Sequence, residues 1–139
     1  MAFWVRVLRG YTNIDQVIGI MVQGTGGHQG LDIIAHRSEF TISLDLPSHH
    51  WYCRFENVPM EFYQNWMFVS YSYDPSTQKV VCFLNERRVE VGTTSLSSPN
   101  SPYPIGLFGS VETMMLDDIF YIPKFSTDEM ISTFYNTSK

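Results

Sequence analysis

Charge is the first scarcity in this chain. Asp, Glu, Lys and Arg make up 17% of the 139 residues, and 9 basic against 14 acidic side chains leave a net charge of −5. No run of Lys and Arg occurs, so the electrostatic footprint of a nucleic-acid binder is missing. The acidity is mild and spread out, which serves solubility more than any particular partner. No apolar stretch approaches the ~20 residues of a membrane-spanning helix, and no membrane insertion is expected. Arg6 and Arg9 interrupt the N-terminal apolar residues, so no signal peptide is read there. That leaves the compartment open, because a domain excised from a larger secreted protein would look the same. Cysteine is down to two, Cys53 and Cys82, both in expected strands. They are read as buried free thiols behaving as small hydrophobes. The alternative is a Cys53–Cys82 bridge, which needs Cα atoms ~5.5–6 Å apart.

Signatures of chemistry are equally sparse. Gly24 to Gly30 packs four glycines into seven residues, but no Lys-Ser/Thr ending and no helix follow. It reads as a flexible hairpin loop. His49 and His50 diverge on an extended backbone, lack a further ligand at useful spacing, and read as solvated turn residues. No nucleophile-elbow sequence is present. Asn136-Thr137-Ser138 is a glycosylation sequon, mild support for secretion.

What is abundant points to sheet. Hydrophobic residues are 44% and aromatics 15%, a packed globule of one domain with a real core. The organising stretch is Asn65 to Asn85. Trp66 to Tyr73 and Lys79 to Leu84 read as strands, and Asp74-Pro75-Ser76-Thr77 carries turn chemistry. Alternation puts Val69, Tyr71 and Tyr73 on one face and Trp66, Phe68, Ser70 and Ser72 on the other. With bulky groups on both faces, this hairpin belongs at a sheet centre. Further strands are expected at Phe3 to Arg9, Val17 to Gln23, Leu31 to His36, Glu39 to Leu46, His50 to Glu56, Arg88 to Val91, Ile105 to Leu107 and Met114 to Ile122. The Glu39 strand alternates most cleanly, Phe40, Ile42, Leu44 and Leu46 against Thr41, Ser43 and Asp45, so one of its sides is wet or faces a ligand. Gly92 to Pro104 holds three prolines and cannot be a central strand. Ser126 to Glu129 reads as a capping box opening the one helix, of about two turns. The expected fold is an all-β, two-sheet antiparallel jelly-roll sandwich with one short C-terminal helix.

The run WMFVSYSYD…KVVCFLNERRV resembles the laminin G-like and pentraxin-like, concanavalin A-type jelly rolls. Trp66, Tyr73, Asp74 and Asn85 match a Trp-led strand, its Tyr-Asp ending and the return turn, whose usual Gly is Glu86 here. Ile105-Gly106, the Leu116 to Tyr135 ending and FWVR at Phe3 to Arg6 follow in the family's order. The resemblance implies one domain over residues 1–139, lacking the one or two strands that usually precede FWVR. It departs also near Met114 and Met115, where a Gly is usual. A missing first strand leaves three possibilities: a trimmed chain, an edge supplied by the C-terminal part, or an exposed sheet edge open to self-association or a partner strand.

The resemblance implies a non-catalytic extracellular or cell-surface recognition module of a larger adhesion or receptor protein, binding a glycan or an extracellular protein. The alternatives are an assembly domain completed by strand addition and, remotely, a glycan-active enzyme. Related β-glucanases carry Glu-x-Asp-x-Glu on one strand, and no such run exists here. Asp117 and Asp118 are adjacent, so a regular strand would turn them to opposite faces. Calcium is the cofactor the family suggests, with Glu39, Asp32 and Asp74 as loop-edge acids to hold it. For a ligand, Tyr52 with Arg54 is the preferred wet-face pair. Trp51, on the opposite face of the same strand, is the other candidate; only one of Trp51 and Tyr52 can lie in the core.

Overall fold

The computed structural model describes residues 1–7, 17–23, 30–36, 38–46, 49–92, 105–107, 114–122 and 125–138. Ten strands and two helices follow in the order β1 (Ala2–Val7), β2 (Val17–Gln23), β3 (Gly30–His36), β4 (Glu39–Leu46), β5 (His49–Phe55), α1 (Met60–Tyr63), β6 (Met67–Asp74), β7 (Lys79–Leu84), β8 (Arg87–Gly92), β9 (Ile105–Leu107), β10 (Met114–Phe120) and α2 (Asp128–Thr137). Two five-stranded antiparallel sheets result, ordered β10-β1-β6-β7-β8 and β5-β4-β3-β2-β9. The chain passes from one sheet to the other after β1, β5, β8 and β9, which is the jelly-roll sandwich expected. The sequence motifs at 24–29 and 93–104 lie outside the described residues.

The β6–β7 hairpin sits inside its sheet, with Val69 opposite Leu84 and Asp74 opposite Lys79. Its alternation fills two separate cores. Met67, Val69, Val80, Cys82 and Leu84 point inward and meet Ile33, Phe40, Ile42, Cys53 and Phe55 of the other sheet. Phe68, Val81 and Phe83 point outward, join Ala2 and Trp4 of β1, and are covered by Ile131, Phe134 and Tyr135 of α2. Trp4 stacks on Tyr135 at 5.7 Å and donates its indole N–H to Ser138 Oγ at 2.8 Å. Arg88 pins the other end of α2 through Asp128 at 2.7 Å. One sheet is therefore covered on both faces, and among the described residues nothing packs over the outer face of the other, called the open face below.

Several expectations are corrected. The helix runs ten residues and its cap is Thr127, whose hydroxyl accepts from the Met130 amide at 3.3 Å. Ser126 is instead buried: its own amide donates to Ser72 Oγ at 2.8 Å, which anchors the connection on the covered sheet. His49 and His50 lie in β5, paired with Leu46 and Asp45, and not in a turn. The connection at Asn57 to Gln64 holds a one-turn helix whose Tyr63 plugs the inter-sheet core and donates to the Glu39 carbonyl at 3.1 Å. The place beside β1 is taken by β10, so the C-terminal part completes the sheet and β1 is no edge.

On β10, alternation breaks. Trp4 faces Asp117 while Ala2 faces Phe120, so one extra residue is accommodated, and Asp118 takes φ 47°. The bulge turns Phe120 to the outer face, where it stacks on Phe134 at 5.3 Å. Trp66 is also not core: it is half-buried at the margin of the outer cluster.

The outer core gives the first test. Ile131 is 2% exposed and Met130, its neighbour, 42%. Ile131→Ala should cost about 2–4 kcal/mol in urea unfolding, whereas Met130→Ala should stay within about 0.5 kcal/mol. Equal effects would mean that α2 does not seal the sheet.

Candidate functional site

The open face lies on the β5-β4-β3-β2-β9 sheet, because both helices pack elsewhere. Register builds it row by row. Asp32, Ser43 and Tyr52 lie across one row; Ile34, Thr41 and Arg54 across the next; His36 and Glu39 across a third, with Glu56 just past the end of β5. Their neighbours in sequence, Leu31, Ile33, Ala35, Phe40, Ile42, Trp51, Cys53 and Phe55, are all in the inter-sheet core. Period-two alternation thus leaves Asp32, Thr41 and Ser43 around Ile34 in the middle of this face and larger polar side chains at its β5 margin.

Tyr52 and Arg54 form the margin. Tyr52 is 41% exposed. The Arg54 guanidinium carbon lies 5.3 Å from the Tyr52 ring centroid, and its Nε is 3.4 Å from the phenol oxygen. Arg54 also reaches Glu39 at 3.6 Å and Glu56 at 3.7 Å. The phenol first, and Glu39 after it, push the Arg54 pKa up. These pairs are exposed and contribute little stability. Their value is geometric: they hold donors, acceptors and an aromatic ring together in one patch. Glu39 joins the site through this pairing, which residue types alone did not reveal but the β4–β5 register does.

The other predicted residues fall elsewhere. Trp51 is 5% exposed, in the core, and packs on Tyr71 with centroids 5.9 Å apart. The structure does not bring the three acids Glu39, Asp32 and Asp74 together. Asp32 and Glu39 are rows apart, and Asp74 caps the β6–β7 turn on the other sheet. Its carboxylate accepts from the Ser76 amide at 2.9 Å, Ser76 Oγ at 2.6 Å and Thr77 Oγ1 at 2.8 Å, and these hold its pKa down. Among the described residues, no group of three His, Cys, Asp or Glu is placed to hold a metal. Cys53 and Cys82 are free, buried thiols. They meet across the two sheets, and burial first, Cys53 second, pushes the Cys82 thiol up.

A second feature is a cavity of about 420 Å³ between β10 and the end of α2, lined by Trp4, Trp66, Asp117, Asp118 and Ser138. Here the expectation of divergent aspartates fails. The Asp118 bulge lets both line one pocket, and Asp117 Oδ1 accepts from the Asp118 amide at 2.9 Å. Both still stand on one wall. The other described lining residues are Trp4, Trp66 and Ser138, whereas glycoside hydrolysis sets two acids on either side of the scissile bond.

No protein-family model matches the chain, and no curated protein matches it in sequence. Solved structures do match in fold. The binding domain of botulinum neurotoxin DC in complex with SialylT is 14% identical with a TM-score of 0.71, over 99% of this chain and 35% of that one. The botulinum neurotoxin serotype D binding domain gives 13% and 0.71, over 98% and 36%. A type C botulinum neurotoxin, described as dependent on two ganglioside molecules to get into cells, gives 14% and 0.69, over 99% and 35%. The chain spans about a third of each, and at these identities the likeness is one of fold.

Tyr71, against which Trp51 packs, yields a pH test. Burial first raises its phenol from 10.0 to about 12. The folded protein therefore keeps a proton that the unfolded chain has lost. Stability is full below pH 10, falls by roughly 2–3 kcal/mol between pH 10 and 12, and is level beyond. Urea unfolding of wild type and Tyr71→Phe across that window should show the fall in wild type only, and parallel curves would refute the buried phenol.

Proposed function

We propose that this chain is a non-catalytic recognition module of the laminin G-like or pentraxin-like jelly-roll type, working outside the cell and taking a glycan on its open face. The observation that supports it most is the asymmetry of the sandwich. One sheet's outer face is apolar and sealed by α2, and the other's carries Tyr52, Arg54, Glu39, Thr41, Ser43 and Asp32. Sugar rings present apolar C–H faces and fans of hydroxyls. Tyr52 offers a partly exposed ring for the former. Arg54 donates in a planar fork and Glu39 accepts, which suits vicinal hydroxyls. The shared fold with toxin binding domains, one crystallised with SialylT and another dependent on gangliosides, agrees with this reading. Calcium, which the resemblance suggests, is one arm of the test, and the open face is proposed to bind with or without it.

A glycan array probed with and without calcium tests it. A bound glycan should lose about tenfold or more in affinity with Tyr52→Ala or Arg54→Gln. No binding to any glycan, or binding that both variants leave intact, would sink the open face as the site.

A second reading, assembly by strand addition, is favoured by one observation. The edge strand is now β10, and Met115, Ile119 and, just beyond it, Tyr121 are exposed, the last at 71%. Unpaired backbone beside apolar side chains invites another strand. Light scattering should then show mass rising with concentration in the micromolar range, and a constant monomer mass excludes it.

A further inference from the structure

We propose that the pocket between β10 and α2 is a second binding site, selective for a ligand carrying an ammonium group. Its volume of about 420 Å³ falls within the ~300–1,000 Å³ of small-ligand sites. Three of its walls are electrically negative. Asp117 and Asp118 are exposed residues whose carboxylates, among the described residues, have no ion-pair partner. The indoles bring the negative face of their quadrupole. The C-terminal end of α2 brings the negative end of the helix dipole, and its last turn holds no basic residue.

The donors of Trp4 and Ser138 are already engaged. The Trp4 indole N–H is given to Ser138 Oγ, and the Ser138 amide and hydroxyl both go to the Phe134 carbonyl. Arg6, two residues along β1 on the same face as Trp4, donates Nε to the Gln64 carbonyl at 2.9 Å. Lys139, next in the chain after Ser138, lies outside the described residues. Trp4 is itself stacked under Tyr135, so half-buried Trp66 is the indole open to a ligand. An aromatic face beside carboxylates, with no cation among the described lining residues, is the chemistry that holds substituted ammonium ions.

The test is a titration of the isotope-labelled protein with choline and with its uncharged isostere, 3,3-dimethylbutan-1-ol, followed at the Trp66 indole and Asp118 amide signals. Choline should shift both saturably and the alcohol should not. Trp66→Ala and Asp118→Asn should each weaken choline about tenfold. Asn tolerates the left-handed backbone, so an unchanged melting curve of Asp118→Asn separates lost binding from lost fold. Parallel titrations with glucosamine and with Nα-acetyl-lysine amide tell an amino sugar from a protein side chain as the source. Tyr52→Ala should leave the choline response unchanged, so failure of glycan binding at the open face does not bear on this site. Equal binding of choline and the alcohol, or no saturable shift at Trp66 with any ammonium probe, overturns the proposal.

Discussion

A sheet that is apolar on both faces must be covered on both faces, and the rest of this structure follows from that constraint. β6 and β7 send Met67, Val69, Val80, Cys82 and Leu84 one way and Phe68, Val81 and Phe83 the other. The first set is buried by the second sheet. The second set would lie in water without α2. Burying a large apolar side chain is worth roughly 1.5–3 kcal/mol. A helix of ten residues has little stability alone, so it and the sheet hold each other in place. Docking α2 there fixes the path of the whole C-terminal segment. Ser72 keeps the sheet surface low enough for Ser126 to approach and bond to it. It also leaves one large face uncommitted, and that face is polar because its strands alternate.

β10 does two things with one irregularity. It pairs with β1 and so completes the covered sheet. Its extra residue at Asp118 then moves Phe120 onto the outer side, where it extends the apolar seal to Phe134. A regular strand would have turned Phe120 to the inter-sheet side and parted the two aspartates. The bulge therefore lengthens the contact with α2 and collects two carboxylates at the pocket beside it.

Much of this was legible in the sequence because period-two patterns report directly on burial. The Glu39 to Leu46 strand, the central hairpin and the split of Trp51 from Tyr52 follow from alternation alone. The Thr127 cap was missed because Ser126 and Thr127 are both good caps, and tertiary bonding of the Ser126 amide to Ser72 decides between them. Trp66 is large and apolar, yet it is half-buried because it stands one residue before β6, at the margin of the outer cluster. The bulge at Asp118 carries no local signal: Asp-Asp is as ordinary in a strand end as in a turn. Only pairing with β1 reveals it, and with it the pocket. Glu39 became part of the open face for a similar reason, since its partnership with Arg54 is a property of register.

The two surfaces ask for different ligands because their charges are balanced differently. On the open face, Arg54 is answered by Glu39 and Glu56, so the patch offers donors and acceptors with little net field. A neutral, hydroxyl-rich ligand gives up least there, since it neither strips an ion of water nor meets repulsion. In the pocket the carboxylates of Asp117 and Asp118 face indole and the end of α2. The protein's net charge of −5 reinforces that potential. These charges are what would favour the proposed ammonium ligand over an anion. Selectivity at the first surface then rests on shape and hydrogen-bond geometry, and at the second on sign. The two sheets separate the open face from the pocket beside α2.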